Sequence, residues 1–425
     1  MLQDLLRVYA EGNKYLILNP QVPAWIVTNR AGILTIKEYC GNLSTEETSR
    51  KIHFYNPQIP VNSVKHFLQN AKSALLFNED SVEHFHKPYF LNAVYLNMTQ
   101  KCNLKCSYCF ATEREETGRS FLETNDYKSI LNDAIKLCDG TLDIVFTGGE
   151  PLLSENTIPV AEYAKELGLT TRILTNATLI DEKNIERLTN LFDLFKISVD
   201  GSSEAKHDSY RGKGNYEKTI HAIELLKTRG TNIQIAMTVT KENVSDVSAM
   251  NKKWGKLLTY QPLFPLGKAK EDCSNSILSG KEYYDILCCN ENINPFSDIR
   301  NIIKAHYASR SIMKCSMGDG ELSISCTGDV YPCQLLHSKS FYLGNLHENS
   351  LTEIYNSEKN SLFKTHTVEC IEGCKTCDFR YLCGGACQAR HFSQTGNIDK
   401  AGTFCEYEKL GIVHSLISTC KMVEF

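Results

Sequence analysis

The chain has 425 residues, with 46 Lys and Arg against 50 Asp and Glu, a formal net charge of −4. At ~150 residues per domain this length suggests about three domains, and the lack of a basic excess argues against nucleic acid or an anionic membrane surface as a partner. Hydrophobic residues make up 42% and charged residues 23%, an ordinary globular balance. No apolar run reaches the ~18 residues of a membrane span. The opening MLQDLLRVYAEGNKYLIL, with Asp4 and Glu11, lacks the continuous apolar segment of a signal peptide, so a cytoplasmic location is expected. The 18 cysteines are unevenly placed, seven of them from Cys333 to Cys405. In a reducing compartment such clusters point to metal binding or redox chemistry rather than disulfides.

Residues 1–90 hold a single cysteine, Cys40. Two strand-like runs, KYLILN (Lys14–Asn19) and AWIVTN (Ala24–Asn29), are joined by a Pro-Gln-Val-Pro turn at Pro20–Pro23. One helix is predicted over Ile33–Cys40. A second starts at Ser44, where Ser44-Thr45-Glu46-Glu47 reads as a capping box, and a third covers Val61–Leu76 after Pro60. A strand hairpin with three helices of this size resembles a winged-helix module.

From residue 91 to about 270 strands and helices alternate. Short apolar or β-branched runs fall at Tyr95–Met98, Asp143–Thr147, Arg172–Asn176, Leu194–Asp200, Ile233–Val239 and Leu257–Leu263, with amphipathic stretches such as Asp126–Cys138 and Thr219–Gly230 between them. Regular βα alternation argues for a parallel sheet buried on both faces; periodicity does not separate a partial barrel from an open sheet. Directly after the first of these strands, KCNLKCSYCF places Cys102, Cys106 and Cys109 in C-x3-C-x2-C spacing. Three thiolates on one tight loop can hold three corners of a [4Fe–4S] cube and leave the fourth iron open to an exogenous ligand. Catalytic metal sites keep such an open position, whereas structural ones are closed. A partial zinc site is the alternative.

This loop, with the aromatic Tyr108 before its last cysteine, resembles the signature of the radical S-adenosylmethionine (radical SAM) superfamily. The second strand ends in Thr147-Gly148-Gly149-Glu150-Pro151, which resembles the segment that binds the methionyl amine of SAM: glycines allow close backbone approach and a carboxylate accepts an ammonium. By the same resemblance Tyr108, Asn176, Ser198 and Asp200 are expected near the cofactor. Arg211, with His207 and Asp208 in HDSYRGKGNY, would meet the SAM carboxylate as a fork. Gln261–Ala269 would be the sixth strand, flanking the adenine. The glycines of RGKGNY are not a dinucleotide fingerprint, because position 217 is Glu and no acidic residue follows a βαβ unit in the needed register.

From residue 271 onward the alternation stops and thirteen of the 18 cysteines follow. Twelve residues separate Cys315 from Gly328 and four more precede Cys333; later comes Cys374-x2-Cys377-x5-Cys383-x3-Cys387, and then Cys405. This spacing resembles the SPASM extension of peptide-modifying radical SAM enzymes, which carries two auxiliary [4Fe–4S] clusters. The resemblance implies one cluster on Cys374, Cys377, Cys383 and Cys405, and three corners of another on Cys315, Cys333 and Cys387. Read without the family, CxxC…CxxxC is also the pattern of a zinc ribbon. ELSISCTGDVYPC reads as a hairpin turning at Gly328-Asp329. A two-residue loop sets Cys326 on the face of Cys333, roughly 7 Å along the strand; a three-residue loop turns it to the other face. Cys326, Cys370 and a position left open for a substrate thiol are the three candidates for the fourth ligand. Cys40, Cys138, Cys273, Cys288, Cys289 and Cys420 read as buried apolar residues. Asp319, Glu321 and Asp329 are unranked candidates for a general base, read as solvated.

The N-terminal NKYLILNPQVPAWIVTNRAG…STEET resembles the peptide-recognition element of ribosomal-peptide maturases. Such a domain captures a leader peptide by adding it as a strand to an exposed sheet edge, here from the strands holding Tyr15–Leu18 and Trp25–Val27. The resemblance spans residues 10 to 410 and implies an α/β fold: a partial (β/α)6 barrel over 91–270, a winged-helix-like domain over 1–90, and a bridging region with a C-terminal Fe–S domain over 271–425. It further implies three [4Fe–4S] clusters, SAM, a precursor peptide and an external electron donor of flavodoxin or ferredoxin type. The implied reaction cleaves SAM to methionine and a 5′-deoxyadenosyl radical, which abstracts hydrogen from the peptide to form a thioether or other intramolecular crosslink. Formylglycine formation on a sulfatase, peptide epimerisation and a non-enzymatic zinc-binding interaction protein are the alternatives. The 101 residues before Cys102 count against the sulfatase reading.

Overall fold

A computed structural model describes residues 6–78, 90–113, 119–288 and 312–424; Cys289 and the bridging segment around it lie outside them. The N-terminal module is a three-stranded antiparallel sheet, β1 (Arg7–Glu11), β2 (Lys14–Asn19) and β3 (Ala24–Thr28), in the order β1-β2-β3. The sequence pattern missed β1, whose residues RVYAE are largely exposed and carry no apolar alternation. Its presence makes β2 the central strand, so Tyr15–Leu18 is paired on both sides instead of forming an edge. Three helices follow, Arg30–Cys40, Thr45–Tyr55 and Val61–Ser73. Asn29 caps the first by accepting from the Gly32 amide at 3.1 Å, and Ser44 with Glu47 closes the expected capping box on the second.

The period of two along these strands sorts the side chains. Ile17 and Ile26 face the three helices, against Phe67 and Leu68. Leu16, Leu18, Trp25 and Val27 face the other way, onto Ile412, Leu416 and Ile417 of the last helix, Cys405–Thr419. The outer edge of β3 meets the C-terminal segment: the Val423 amide donates to the Val27 carbonyl at 2.7 Å and the Thr28 hydroxyl to the Val423 carbonyl at 2.8 Å.

The six expected parallel strands are present in sequence order: β4 (Ala93–Thr99), β5 (Asp143–Gly148), β6 (Thr170–Thr175), β7 (Leu194–Ser198), β8 (Ile233–Val239) and β9 (Leu258–Pro262). One face of this sheet, with Val94, Leu96, Phe146, Ile173, Phe195 and Ile235, packs on crossover helices through Leu131, Val160, Leu188 and Leu226. The other face lines a cavity, so burial against protein on both faces, as expected from the alternation, holds for the helical side alone.

The cysteine-rich region continues this sheet. β10 (Glu321–Ile324) pairs parallel with β4, setting Glu321 level with Ala93, and β11 (Asp329–Tyr331) and β12 (Gly344–Asn345) follow antiparallel. In the hairpin Ser323 pairs with Tyr331 and Ile324 with Val330. The Ser325 amide donates to the Asp329 carbonyl at 2.8 Å, which leaves a three-residue loop, Cys326-Thr327-Gly328. Gly328 takes its third position at φ +84°, a conformation that favours glycine. The turn therefore centres on Thr327 and not on Gly328-Asp329. Among the described residues no helix is long and apolar enough to cross a membrane.

Leu416 is fully buried between the last helix and the N-terminal sheet. Leu416→Ala is expected to cost about 2–5 kcal/mol, read as a lower thermal midpoint together with faster limited proteolysis of the N-terminal module.

Candidate active site

β4 runs directly into the cysteine loop. The Leu104 amide donates to Cys102 Sγ at 3.4 Å, Asn176 Nδ2 to the same sulfur at 3.9 Å, and Arg211 Nη1 to Cys106 Sγ at 3.9 Å. Burial pushes the Cys106 thiol up, Arg211 opposes this, and Cys109 and Cys102 add to the rise, so the three thiols share one neighbourhood. β5 ends against the start of this loop. Gly148 stands at φ +131°, and a Cβ there would run into the Thr99 carbonyl oxygen; one on Gly149 would run into that of Lys101. Only glycine fits this cradle, which lines the cavity above the loop.

Glu150 is buried and its oxygens are taken up within the protein. They accept from the Thr175 hydroxyl at 2.8 Å, the Asn176 amide at 2.9 Å and the Leu152 amide at 3.2 Å, and so tie the end of β5 to the end of β6. Asp200, fully buried, pairs with Arg211 Nε and accepts from the Thr238 amide at 2.8 Å. It holds the arginine rather than facing the cavity. His207 and Asp208 brace the helix that carries Arg211, Glu204–Arg211: the Asp200 amide donates to His207 Nδ1 at 3.4 Å, and Asp208 accepts from the Tyr216 amide at 2.8 Å. Burial first, then Arg211, brings His207 down to about 4.

A cavity of about 470 Å³ opens above these groups. Cys102, Cys106, Tyr108, Cys109, Gly148, Gly149, Asn176, Ser198 and Arg211 line it; Gln261, Pro262 and Leu263 form one flank, and Cys387 and Arg390 the far wall. A thiol triad, a glycine cradle and an arginine held by a buried carboxylate suit a cluster and SAM together. Among the described residues no three His, Cys, Asp or Glu side chains converge closely enough for a single metal ion; the thiols gather in looser sets.

Two further sets lie beyond the cavity. Burial raises Cys333 well above its usual value, with Glu321 and Cys387 adding, and brings Cys315 up to about 12, with Cys387 again a neighbour. Burial likewise raises Cys374, Cys383 and Cys405, and the neighbouring Cys377 adds to each rise. Cys377 and Cys383 pack against the apolar cluster that Leu16, Leu18 and Trp25 of the N-terminal sheet share with the last helix, and the Tyr9 hydroxyl donates to Asp378 at 2.8 Å. Cys326 does not join Cys315, Cys333 and Cys387. The hairpin register sets Cys333 level with Glu321, five residues or ~16 Å along the strands from Cys326, and Cys326 lies in the turn near Leu122 and Tyr127. Cys370 is exposed.

The three acids read as solvated are in fact enclosed. Asp319 pairs with Lys314 at 2.6 Å, Asp329 accepts from Asn345 Nδ2 at 2.8 Å, and Glu321 accepts from the Ser316 hydroxyl at 3.1 Å and touches Cys333. Of the cysteines read as buried, Cys40 is so; Cys138, Cys273, Cys288 and Cys420 are half-buried, and Cys273 Sγ reaches the Ser107 carbonyl of the cysteine loop at 3.7 Å. Lys196, which lines the cavity, went unnoticed in the sequence; its signal was a lysine in the middle of LFKIS.

Gly149→Ala is expected to weaken SAM binding about tenfold, since relieving the clash must move the cradle; equilibrium dialysis reads this. His207 makes stability fall with acid. Its folded value near 4 lies below the unfolded ~6.5, so the unfolded chain binds more protons in that window. Stability lost between pH 6.5 and 4 from this group is up to about 3 kcal/mol, and His207→Gln should flatten the pH dependence of the thermal midpoint there.

Residues 96–252 match the family described as the radical SAM superfamily, and residues 315–378 match the SPASM iron–sulfur cluster-binding domain. An AdoMet-dependent heme synthase of Oleidesulfovibrio alaskensis is 28% identical over 348 residues, covering 73% of this chain and 86% of that protein. The antilisterial bacteriocin subtilosin biosynthesis protein AlbA of Bacillus subtilis is 28% identical over 310 residues, covering 70% and 67%. Among solved structures, native anSMEcpe with bound AdoMet aligns with a TM-score of 0.61 at 24% identity, over 77% of this chain and 97% of that one. Streptococcus suis SuiB bound to its precursor peptide SuiA aligns with a TM-score of 0.58 at 14% identity, over 95% and 99%. The cysteine loop, the glycine cradle and the second cysteine region thus agree with these likenesses, and the chain belongs to the radical SAM superfamily and carries a SPASM domain with iron–sulfur clusters.

Proposed function

We propose that the chain matures a ribosomally made precursor peptide by hydrogen abstraction and leaves an intramolecular crosslink in it, a thioether from a Cys sulfur to carbon ahead of a carbon–carbon link. The observation that carries this is the N-terminal module seated on the C-terminal cysteine region. The likeness in fold to SuiB, whose structure holds a precursor peptide, spans 95% of the chain, against 77% for anSMEcpe. AlbA, named for bacteriocin biosynthesis, supports the same direction.

In this reading residues 1–90 bind the leader, 91–270 hold the radical site and 271–425 the auxiliary clusters. The leader adds to the exposed β1 edge, because β2 is central and Val423 meets β3. Cys102, Cys106 and Cys109 hold the SAM cluster. The Gly148–Gly149 backbone takes the methionyl amine while Glu150 fixes that strand end. Asn176, Ser198 and Tyr108 flank the cofactor, and Arg211, held by Asp200, receives its carboxylate. Cys315, Cys333 and Cys387 hold one auxiliary cluster, and Cys374, Cys377, Cys383 and Cys405 the other, making three in all. A flavodoxin or ferredoxin supplies electrons. When bound, SAM and its cluster supply reductive cleavage and hydrogen abstraction; the chain's own residues bind, orient and exclude water. The thioether preference rests on the auxiliary set with three thiols among the described residues, from which Cys326 is remote.

The test is co-expression, under anaerobic conditions, of candidate precursors from short reading frames beside the gene, with the intact enzyme and with Cys106→Ala. A loss of two hydrogens per modification, absent with the variant, is expected by mass spectrometry, with fragmentation locating the sulfur. An unchanged mass for every short neighbour overturns crosslinking. Weight then passes to a second reading, radical chemistry on a non-peptide substrate, which the 28% identity to a heme synthase favours.

A further inference from the structure

The cations around the cavity differ in one respect. Arg211 is paired with Asp200 and Arg390 with Glu408 at 2.7 Å; Arg172, outside the cavity lining but near Lys196, is paired with Asp143 at 2.6 Å. Lys196 has neither a carboxylate nor a hydrogen-bond partner among the described residues; the one charged group that bears on it is another cation, Arg172. Strand alternation explains its place. Phe195 and Ile197 of β7 enter the core, whereas Lys196 and Ser198 face the cavity. Lys196 lies ~7 Å from Ser198 toward the start of the strand, deeper than the glycine cradle, which sits at the strand ends. Tyr260 Oη, buried and without a hydrogen-bond partner, lines the same space. An unpaired ammonium in such a site is unfavourable until an anion joins it.

We propose that Lys196 binds a carboxylate of the substrate, so that the segment held between the cysteine loop and Cys387 carries an Asp or Glu side chain. This rests on the peptide reading above for the carrier, though not for the carboxylate. A neutral amide of the same shape would leave the ammonium without its counter-charge. A charge-assisted hydrogen bond of this kind corresponds to about a tenfold difference in affinity.

The probes are N-acetyl-Ala-Glu-Ala-amide and its Gln counterpart, followed by saturation-transfer NMR on the reconstituted full chain, with and without SAM. The expected result is about tenfold stronger binding of the Glu peptide, lost in Lys196→Met and kept in Lys196→Arg, with the cluster absorbance of both variants verifying that they fold. No preference in the wild type, or a preference that survives Lys196→Met, overturns the proposal. So does a preference that disappears when SAM is added, because the methionyl carboxylate is then the anion that Lys196 meets. Sodium propionate is the third probe. Its Lys196-dependent binding, with neither peptide bound, keeps the carboxylate site and removes the peptide reading.

Discussion

The pairing of β10 with β4 is the constraint on which the site depends. Glu321–Ile324 lies in register with Ala93–Leu96, a few residues before Cys102, and Asn97 Nδ2 secures the join by donating to Ser323 Oγ at 3.0 Å and to the Ile324 carbonyl at 2.9 Å. The hairpin that follows brings Cys333 back along the same sheet, so its position relative to the cysteine loop is set by backbone hydrogen bonds rather than by a flexible tether. A slip of one residue would turn Glu321 and Ser323 to the opposite face and carry Cys333 with them.

Enclosed charge is handled in pairs around this frame. Lys314 with Asp319, Arg211 with Asp200 and Arg390 with Glu408 are each largely buried and each joined by hydrogen bonds. Removing one partner of such a pair leaves a buried charge and costs about 3–5 kcal/mol. These pairs therefore specify geometry more than they add stability. Arg390 also stacks on Phe404 and Phe264, its guanidinium 4.3 and 4.9 Å from the ring centres, and so ties the cavity wall to the last helix.

Much of the fold and the cofactor loop was legible because the signals were local. The six parallel strands announce themselves as apolar runs, and the C-x3-C-x2-C loop and the TGGEP turn lie where the chain leaves two of them. What was missed depends on partners remote in sequence. β1 is polar and becomes a strand only beside β2. Gly328-Asp329 looks like a two-residue turn, but the pairing of Ser325 with Asp329 places Gly328 third in a longer loop. Asp319 and Asp329 read as surface acids because Lys314 and Asn345, which neutralise or bind them, cannot be assigned from local pattern. Glu150 and Asp200 were expected against the cofactor; tertiary contacts turn them inward as braces.

The first module of the chain shares a hydrophobic layer with its last helix, and this imposes an order on biosynthesis. Leu16, Leu18, Trp25 and Val27 emerge from the ribosome early, while Ile412, Leu416 and Ile417, which cover them, emerge some 390 residues later. At roughly 5–20 residues per second, this face of the sheet stays uncovered for about 20–80 seconds of translation. The opposite face closes at once over its own helices. Chaperone dependence of the nascent chain should accordingly concentrate on that single apolar face.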